Sequence, residues 1–545
     1  MKTKSVIFIV ILFTFFVNKS WSATIIVAPS GGSYTSVQAG INAANAGDTV
    51  LVKAGIYNEA ITFPKSGSVN NYITLFGEAG AIIDGTGKEG KVGITISSKN
   101  YIKVIGLEIQ NFQGSKNNVP MGIYVNGSSS NLEILNNKVH NIDNDNGNAH
   151  GIAFYGTSST PISNIVIDSN EIFNCKLGSS ESLVLNGNVT SFTVSNNIIH
   201  DNDNIGIDFI GFEGTGPTGQ DQARDGISSG NIVYNISSLN NPAYGGSRSA
   251  DGIYVDGGKN IIIEKNHVYN NDIGIELASE HKGKSTQDII VRNNFVSGSY
   301  LTNIMAGGYN YNKGNAFNIA IVNNTTFMGK EGEVALQFNS DTILIKNNIF
   351  YGETGQAYLQ NWGFGNTDTN ISVNNNIYYG GSTSSPGAWS DKNAKYVNPQ
   401  LINPPTNMNL SSGSPAINAG INLGNDKNEN PLSGKQDIDN QNRIVGGIID
   451  IGADEYQSTT GINNKHFSLN YKVFPNPTAS VLNIENNSNK DFKITITNIR
   501  GQQILTMQLK KETKDNIKVT SWNPGIYFLT AEADNNRSVY EILKR

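Results

Sequence analysis

The residues most able to do chemistry are acids concentrated between positions 208 and 284. The chain is otherwise sparing with charge, since 15% of its 545 residues are charged, against a usual value of about 25%. In this segment the carboxylates of Asp208, Asp256 and Glu276 are the hard oxygen ligands that Ca²⁺ prefers. The three acids are therefore candidate ligands for a calcium ion.

Groups suited to proton transfer lie near these acids. A general acid or base works best when its pKa is close to the working pH. Histidine meets this condition without tuning, whereas a lysine base needs desolvation or a nearby cation to lower its pKa. The predicted catalytic residues are Lys282, His281, Arg248, Tyr254, Asp251 and Glu280. The residues predicted to bind substrate are Arg224 and Tyr309.

A repeat along the chain must position these residues. The phrase apolar–x–Asn–x–apolar returns every 24 to 35 residues, which is typical of a solenoid of stacked coils. Ile and Val alternate with other residues around it, and this alternation indicates short strands rather than helices. We interpret the asparagines as a structural ladder at bends, where Asn tolerates the left-handed backbone region. They are Asn137, Asn170, Asn197, Asn231, Asn266, Asn294, Asn324, Asn348 and Asn376.

A second strand of each coil sets the direction of the acids. It reads "IGIDFIG" at 205–211 and "DGIYVDG" at 251–257, with apolar residues at its third and fifth places. Because side chains alternate across a strand, the fourth and sixth places are predicted to point outward. The residues predicted to share this outer face are Asp208, Tyr254, Asp256 and Glu276. The residues at strand starts, whose direction the pattern leaves open, are His150, Glu181 and Asp251.

The connections between these strands are predicted to wall a groove. The longest gap, 212–250, and the short loop "SEHKGKS" at 279–285 both follow acid-bearing strands. Long loops on a rigid scaffold often carry function. We therefore expect the functional site on the outer face between 205 and 284.

The strand pattern resembles the right-handed parallel β-helix proteins of the pectate-lyase type, over about residues 30–457. The opening "GGSYTSVQAGINAANAGDTVLVKAGIYNEAITF" is similar to that family's N-terminal cap, a short amphipathic helix before the first coil. "DIGADEYQ" at 450–457 is similar to phrases that close such helices. The resemblance implies an all-β fold with a right-handed parallel β-helix over 23–457.

The C-terminal part has a different pattern. A polar linker at 458–466 precedes alternating strands and turn residues, which predict a small β-sandwich over 467–545. "VFPNPT", "GIYFL" and the Lys-Arg terminus resemble the C-terminal sorting domain of type IX secretion substrates. The resemblance implies that the type IX secretion machinery is a partner. It also implies a protein that is secreted, or attached to the cell surface, outside the outer membrane of a Gram-negative bacterium.

Composition and the N-terminus narrow the function classes. Residues 1–22 contain a basic start, an apolar core and small residues before Ala23, the pattern of a secretory signal peptide. The apolar core is too short to span a bilayer, so no membrane span is expected in the mature chain. A net charge of −6 disfavours nucleic acid as a partner. With Cys175 as its only cysteine, the chain is expected to be stabilised without an intrachain disulfide. We also expect a monomer.

The resemblance implies action on a polysaccharide, and three functions fit the acids. The first is a lyase that cleaves a uronate-containing polymer by β-elimination. As in the resembling lyases, calcium on the acids would neutralise the sugar carboxylate, and Lys282, Arg248 or Arg224 would be the base. Tyr254 would then protonate the leaving oxygen.

The second function is a glycoside hydrolase on the same fold. Asp256 and Glu276, on neighbouring coils and offset by two residues, are expected to lie about 8 Å apart. That separation falls in the range of about 6.5–9.5 Å used by inverting enzymes. The third function is a non-catalytic glycan-binding adhesin, in which exposed acids only keep the surface soluble. Unsaturated products, reducing ends or binding alone separate the three.

Overall fold

A computed structural model of the chain describes residues 22–115, 118–144, 147–363, 368–457, 471–498, 502–523, 525–533 and 536–544. The predicted signal peptide, apart from Ser22, and the predicted linker at 458–466 lie outside the described residues. The chain divides into two compact units, Met1–Tyr456 and Gln457–Arg545. Among the described helices, none is long and apolar enough to cross a membrane.

The first unit is a parallel β-helix of three sheets, which confirms the predicted solenoid. Each coil contributes one strand to each sheet, in the chain order second, first and third sheet. Within the described residues, the first sheet has thirteen strands: Thr24–Val27, Thr49–Val52, Ile73–Gly77, Asn100–Ile105, Ser130–Leu135, Ile162–Asp168, Val189–Ser195, Arg224–Ser229, Lys259–Glu264, Ser285–Arg292, Asn315–Val322, Ser340–Lys346 and Thr369–Asn374.

The other two sheets run alongside the first. In the described part of the chain, the second sheet has eleven strands: Ile61–Thr62, Val92–Ser97, Met121–Asn126, His150–Gly156, Leu183–Gly187, Ile207–Ile210, Asp251–Asp256, Ile273–Ala278, Ile304–Ala306, Val334–Leu336 and Leu359–Asn361. The third sheet has twelve strands among these same residues: Gly55–Tyr57, Ala81–Asp84, Glu108–Gln110, Lys138–His140, Glu171–Phe173, Ile198–His200, Ile232–Tyr234, His267–Tyr269, Phe295–Ser297, Thr325–Phe327, Ile349–Tyr351 and Ile377–Tyr379.

The two ends of the β-helix are closed by short elements. As predicted, an N-terminal helix, Val37–Ala43, covers the first coil, and the hydroxyl of Ser36 caps it by accepting from the N–H of Ala39 at 3.3 Å. At the other end Leu401–Asn403 pairs antiparallel with Asn407–Leu410.

Two 3₁₀ helices, Ser238–Asn240 and Pro242–Tyr244, lie in the longest connection. Cys175 is a buried free thiol.

The core of the β-helix is a column of aliphatic side chains that point inward from all three sheets. The predicted third and fifth places of the second sheet, such as Ile253 and Val255, are fully buried. They join one continuous hydrophobic cluster that extends from Val27 to Tyr378. Burial of such a column is roughly proportional to its apolar area and supplies the stability that disulfides give smaller secreted proteins.

The asparagine ladder is present and buried. The backbone N–H and the Nδ2 of Asn266 both donate to Oδ1 of Asn294, at 2.9 and 3.0 Å, and Asn231 donates to Asn266 in the same way. The left-handed backbone is adopted by the residue before each ladder asparagine, for example Lys265 at φ 56°. The expectation that the ladder asparagines themselves occupy this region is therefore wrong, because their amides point inward to serve the neighbouring coils.

The second unit is an antiparallel β-sandwich, as predicted. One sheet contains Tyr471–Phe474, Val481–Asn486 and Lys514–Lys518. The other contains Phe492–Asn498, Gln503–Leu509, Gly525–Ala533 and Asn536–Lys544. Side chains from both sheets, including Ile484 and Ile494, share one buried core.

Candidate functional site

The acids that the sequence singles out lie on the outer face of the second sheet. Backbone pairing places Asp208 beside Tyr254 and Tyr254 beside Glu276 in one row. Asp256 pairs with Ala278, so it is offset from Glu276 by two residues, as the alternation predicts. Asp208, Tyr254 and Glu276, the three residues of this row, are 2%, 6% and 7% exposed. They point outward from the coil but are covered from solvent.

Loops on both sides cover this face. The connection 211–223 follows the strand that bears Asp208, and the connection 279–284 follows the strand that bears Glu276. Imidazole Nε2 of His281 lies 2.8 Å from Oε1 of Glu213, which joins these two loops. The N–H of Glu280 donates to Asp256 at 3.0 Å and fixes the second loop against the sheet. The loops therefore shield this acidic part of the face, which we call the acidic pocket, from solvent.

A hydrogen-bonded carboxyl pair, Asp251 and Glu276, forms one part of the pocket. Nε2 of Gln337 donates to Oε1 of Glu276 at 3.1 Å and holds the pair in place. Burial raises the pKa of Glu276 to about 7. Burial first and repulsion from Glu276 second raise the pKa of Asp251 well above its ordinary value. Since two close carboxylates cannot both ionise easily, the pair retains a proton near neutral pH.

The direction of Asp251 follows from the glycine after it. A Cβ on Gly252 would lie 2.6 Å from Nδ2 of Asn271, inside the coil. A side chain at position 252 would therefore face the inside of the coil. The side chain of Asp251, the preceding residue, points outward and reaches Glu276. The corner interrupts the alternation of the strand, which is why the sequence pattern leaves this direction open.

Asp208 and Asp256 form a second group of acids in the pocket. They lie on paired strands of the second sheet, Ile207–Ile210 and Asp251–Asp256. Oδ1 of Asp208 is buried and has no hydrogen-bond partner among the described residues. Burial and the charges of Glu181 and Asp256 raise the pKa of Asp208 well above its ordinary value. Burial and then Glu280 raise the pKa of Asp256 in the same direction.

A tyrosine–histidine–glutamate chain lies beside the acids. The hydroxyl of Tyr155 is 2.9 Å from Nε2 of His150. Nδ1 of His150 hydrogen-bonds the backbone carbonyl of Glu181 at 3.3 Å and lies 3.3 Å from Oε2 of the same residue. Burial, followed by the charge of Glu181, raises the pKa of Tyr155. His150 and Glu181 stand at the strand starts that the sequence pattern could not orient. Tyr155 occupies a sixth place, so its outward direction was available as a signal.

The predicted basic residues lie outside the acidic pocket. Nη1 of Arg248 is 2.8 Å from the buried Asp272, and its guanidinium stacks on the ring of Tyr300. Arg224 begins a first-sheet strand, and its Nη2 donates to Asn188 at 3.0 Å.

Two further predicted residues lie on exposed loops. Lys282 is exposed in its turn. Tyr309 is 52% exposed, with Nζ of Lys313 placed 4.9 Å from its ring centre. Among the described residues, Lys282, Arg224 and Arg248 make no ion pair with the acids of the pocket.

Metal-ligating groups are brought together in an arrangement other than the predicted calcium set. Asp208 and Asp256 are neighbours, but Glu276 is directed to Asp251. Ligand atoms of Glu213, Asp256 and His281 all lie within 4.8 Å of one another. The predicted catalytic residues His281 and Glu280 are thus at the pocket, and Tyr254 lies within it.

Comparison with known proteins assigns both units. Residues 122–326 match the family described as right handed beta helix region. A Bacillus subtilis (strain 168) protein with the name uncharacterized protein YwoF is 38% identical to this chain over 367 residues, covering 65% of this chain and 77% of that protein. The chain belongs to the YwoF family. Residues 472–545 match the secretion system C-terminal sorting domain, which confirms the predicted type IX sorting domain and a protein that is secreted or attached to the cell surface.

Solved structures with a similar solenoid include several carbohydrate-active enzymes. Pectate lyase Pel9A is 16% identical, with a TM-score of 0.38, and the match covers 80% of this chain and 97% of that one. XylC in complex with xylose is 12% identical, with a TM-score of 0.42 and coverage of 69% and 87%. An alginate lyase from Paenibacillus sp. str. FPU-7 is 14% identical, with a TM-score of 0.37 and coverage of 64% and 99%. Similarities this distant carry no argument about the reaction.

Proposed function

We propose that this protein is a secreted enzyme that hydrolyses glycosidic bonds of a polysaccharide. The observation that carries the proposal is the buried, hydrogen-bonded pair of Asp251 and Glu276, located under loops on the outer face of the β-helix. Glycoside hydrolysis needs one carboxyl group that is protonated at the working pH and a second carboxylate nearby.

The carboxyl pair suits the role of general acid. With the pKa of Glu276 raised to about 7, the pair holds a proton that it can transfer to the leaving glycosidic oxygen. The second carboxylate would be Asp208, whose Oδ1 is buried without a partner in the described structure. Burial raises the pKa of Asp208 too, so it serves this role in the molecules in which it is ionised. Because Asp208 and Glu276 are two strands apart, about 9–10 Å, Asp208 would direct a water molecule on the opposite side of the sugar, as in inverting enzymes. Tyr254 lies between Asp208 and Glu276 in the row and would orient the ring.

The charge of the pocket favours a neutral sugar over a uronate. A uronate carboxylate would meet Asp208, Asp256 and Glu280 at close range, and like charges in a buried site repel strongly. The arginines predicted as candidate bases or as a substrate-binding residue are directed elsewhere, Arg248 to Asp272 and Arg224 to Asn188. The proposal therefore departs from the expectation of a lyase acting on an acidic polymer.

A lyase is the second candidate, and one observation favours it. Tyr155, His150 and Glu181 form a chain through which a proton can be accepted and passed on. β-Elimination needs such a base, together with a cation that neutralises the uronate carboxylate. Calcium on Asp208 and Asp256 would supply that charge, since both offer carboxylate oxygens.

The test uses the purified full chain with neutral and uronate polysaccharides, for example xylan, cellulose, pectate and alginate. We expect reducing ends from a neutral glycan without the ultraviolet absorbance of unsaturated sugars. Glu276→Gln should abolish this turnover. The matched control, Glu133→Gln, alters an acid on the first sheet that pairs with Lys103 at 2.7 Å, and it should retain full activity.

Three results would contradict the hydrolase. Unsaturated products from pectate or alginate would establish the lyase. Binding of a glycan without any turnover would establish the adhesin. Full activity of Glu276→Gln, with circular dichroism showing an intact fold, would remove the carboxyl pair from the mechanism.

A further inference from the structure

We propose that Glu213, Asp256 and His281 bind a divalent transition-metal ion that joins the two loops over the second sheet. The three side chains come from separate segments: loop 211–223, strand Asp251–Asp256 and loop 279–284. The ligands are other than the Asp251–Glu276 pair, so the site does not depend on that pair's role in the proposed reaction. A cation bound here would, however, reduce the repulsion that favours a neutral sugar over a uronate.

The geometry is close to that of a bound ion. All three ligand atoms lie within 4.8 Å of one another, and Nε2 of His281 is 2.8 Å from Oε1 of Glu213. Ligand atoms about 2.0–2.2 Å from a tetrahedral zinc ion are separated by roughly 3.5 Å. Small side-chain rotations of Glu213 and His281, which are partly exposed, are enough to reach that spacing. Asp256 is fixed by the sheet and by the N–H of Glu280.

The electrostatics of the pocket favour a cation at this point. Glu280, whose N–H donates to Asp256, and Glu276, on the strand paired with that of Asp256, add further carboxylates around the three ligands. The side chain of Lys313 is a cation that acts on this cluster. A divalent ion would offset this excess of negative charge, and ionised ligands in a low-dielectric site bind cations strongly.

An independent observation is the unpartnered oxygen of Asp208. Its side chain is 2% exposed, and it lies on the strand paired with that of Asp256. Oδ1 of the same carboxylate has no donor among the described residues. Buried acceptors without a partner are rare in proteins, because leaving one costs about 1–3 kcal/mol. A hydrated cation beside Asp256 would supply the missing donor.

The ligand set selects the class of metal. One imidazole nitrogen with two carboxylates suits zinc, manganese and similar divalent transition metals. Calcium instead takes about six to eight oxygen ligands and rarely an imidazole. The inferred site therefore differs from the predicted calcium site on Asp208, Asp256 and Glu276, both in its residues and in its metal.

The experiment is a titration of the metal-free full chain, prepared with a chelator, by isothermal calorimetry. Zinc chloride and manganese chloride are the probes, and calcium chloride is the contrast. We expect one zinc or manganese ion per chain, with calcium at least tenfold weaker. His281→Ala should weaken zinc binding at least tenfold, and Glu213→Gln should do the same. The control, Lys282→Ala, changes the next residue of the same loop and should bind as the unmodified chain does.

Thermal unfolding gives a second readout that needs no activity. Zinc should raise the melting temperature of the unmodified chain and of Lys282→Ala, but not that of His281→Ala. The proposal is overturned if zinc does not bind at submillimolar concentration, or if His281→Ala binds it with unchanged affinity. Tighter binding of calcium than of zinc, insensitive to His281→Ala, would also overturn it. Glycan turnover by the metal-free chain is measured separately and tests only the reaction.

Discussion

Two rows of buried polar side chains run along this β-helix, and they differ in how completely their hydrogen bonds are made. In the asparagine ladder each amide donates to the next coil and accepts from the previous one, as Asn266 does with Asn294 and Asn231. On the second sheet, Asp208 and Asp251 each leave a buried oxygen without a partner in the described residues. One row consists of neutral amides and the other of acids with raised pKa values.

The difference separates stability from function. A buried polar row that satisfies every group lowers the free energy of the fold, because the amides replace their hydrogen bonds to water. A buried row of acids that repel one another raises the free energy of the fold. Such an arrangement persists only where another use requires it, so local conflicts of this kind point to a functional site.

The largest effect is expected from Glu276→Gln. Removing a general acid costs about a hundred- to ten-thousandfold in rate, so turnover of the glycan should fall by at least a hundredfold. The free energy of unfolding should stay equal or increase, because a repulsive charge is removed. Steady-state kinetics and urea denaturation measure the two quantities. A large loss of stability would show that the acidic row, like the ladder, is structural.

The opposite pattern is expected from Asn266→Ala in the middle of the ladder. The substitution removes the amide that receives two hydrogen bonds from Asn231 and donates to Asn294 and Ser228. At about 1 kcal/mol for each bond, the free energy of unfolding should fall by about 2–4 kcal/mol, with turnover at low temperature nearly unchanged. Asn428→Ala, at an exposed loop residue, is the control. Equal stability of the two variants would contradict the role of the ladder.

The acidic row should also make stability depend on pH. The pKa of Glu276 is about 7 in the folded chain, above its ordinary value of 4.5. A raised pKa stabilises the fold below about pH 4.5, and this contribution is lost as pH rises through 7. Between pH 5 and 8 the unmodified chain should lose about 2 kcal/mol more than Glu276→Gln does. Its rate should fall over the same range, because the general acid loses its proton.

Glu333 offers a matched comparison for that measurement. It is fully buried away from the pocket, and burial raises its pKa to about 7 as well. Glu333→Gln should therefore flatten the pH dependence of stability in the same direction while leaving the pH dependence of the rate unchanged. If both variants change the pH dependence of the rate equally, the loss of activity with rising pH is not caused by ionisation of Glu276.

The smallest effects are expected from the basic residues. Arg248→Ala breaks the ion pair with Asp272, which still accepts from Ser237, Ser238 and Ala250. It should lower the free energy of unfolding by about 1–3 kcal/mol and the rate by less than tenfold. Lys282→Ala should change the rate by less than twofold. A hundredfold loss in either variant would restore a basic catalytic residue and favour the lyase.

Much of the fold could be predicted because it depends on local sequence patterns. The repeat of asparagines and the period-two alternation require only neighbouring residues, and both are reproduced in the three sheets. Alternation also put Asp208, Tyr254 and Glu276 on one face. Alternation could not predict that these residues are buried, because their burial depends on loops 211–223 and 279–284, which have no sequence periodicity.

The solenoid, its inward and outward places and the C-terminal sorting domain all follow from short-range sequence patterns, so they can be read without a structure. The contact of Asp251 with Glu276, the contact of Tyr155 with His150, and the direction of the arginines depend on how distant coils pack together. These contacts join residues of different coils across corners where the strand alternation breaks. The direction of a side chain at a corner depends on what packs against it there, as the amide of Asn271 packs against Gly252. No local sequence pattern encodes that packing.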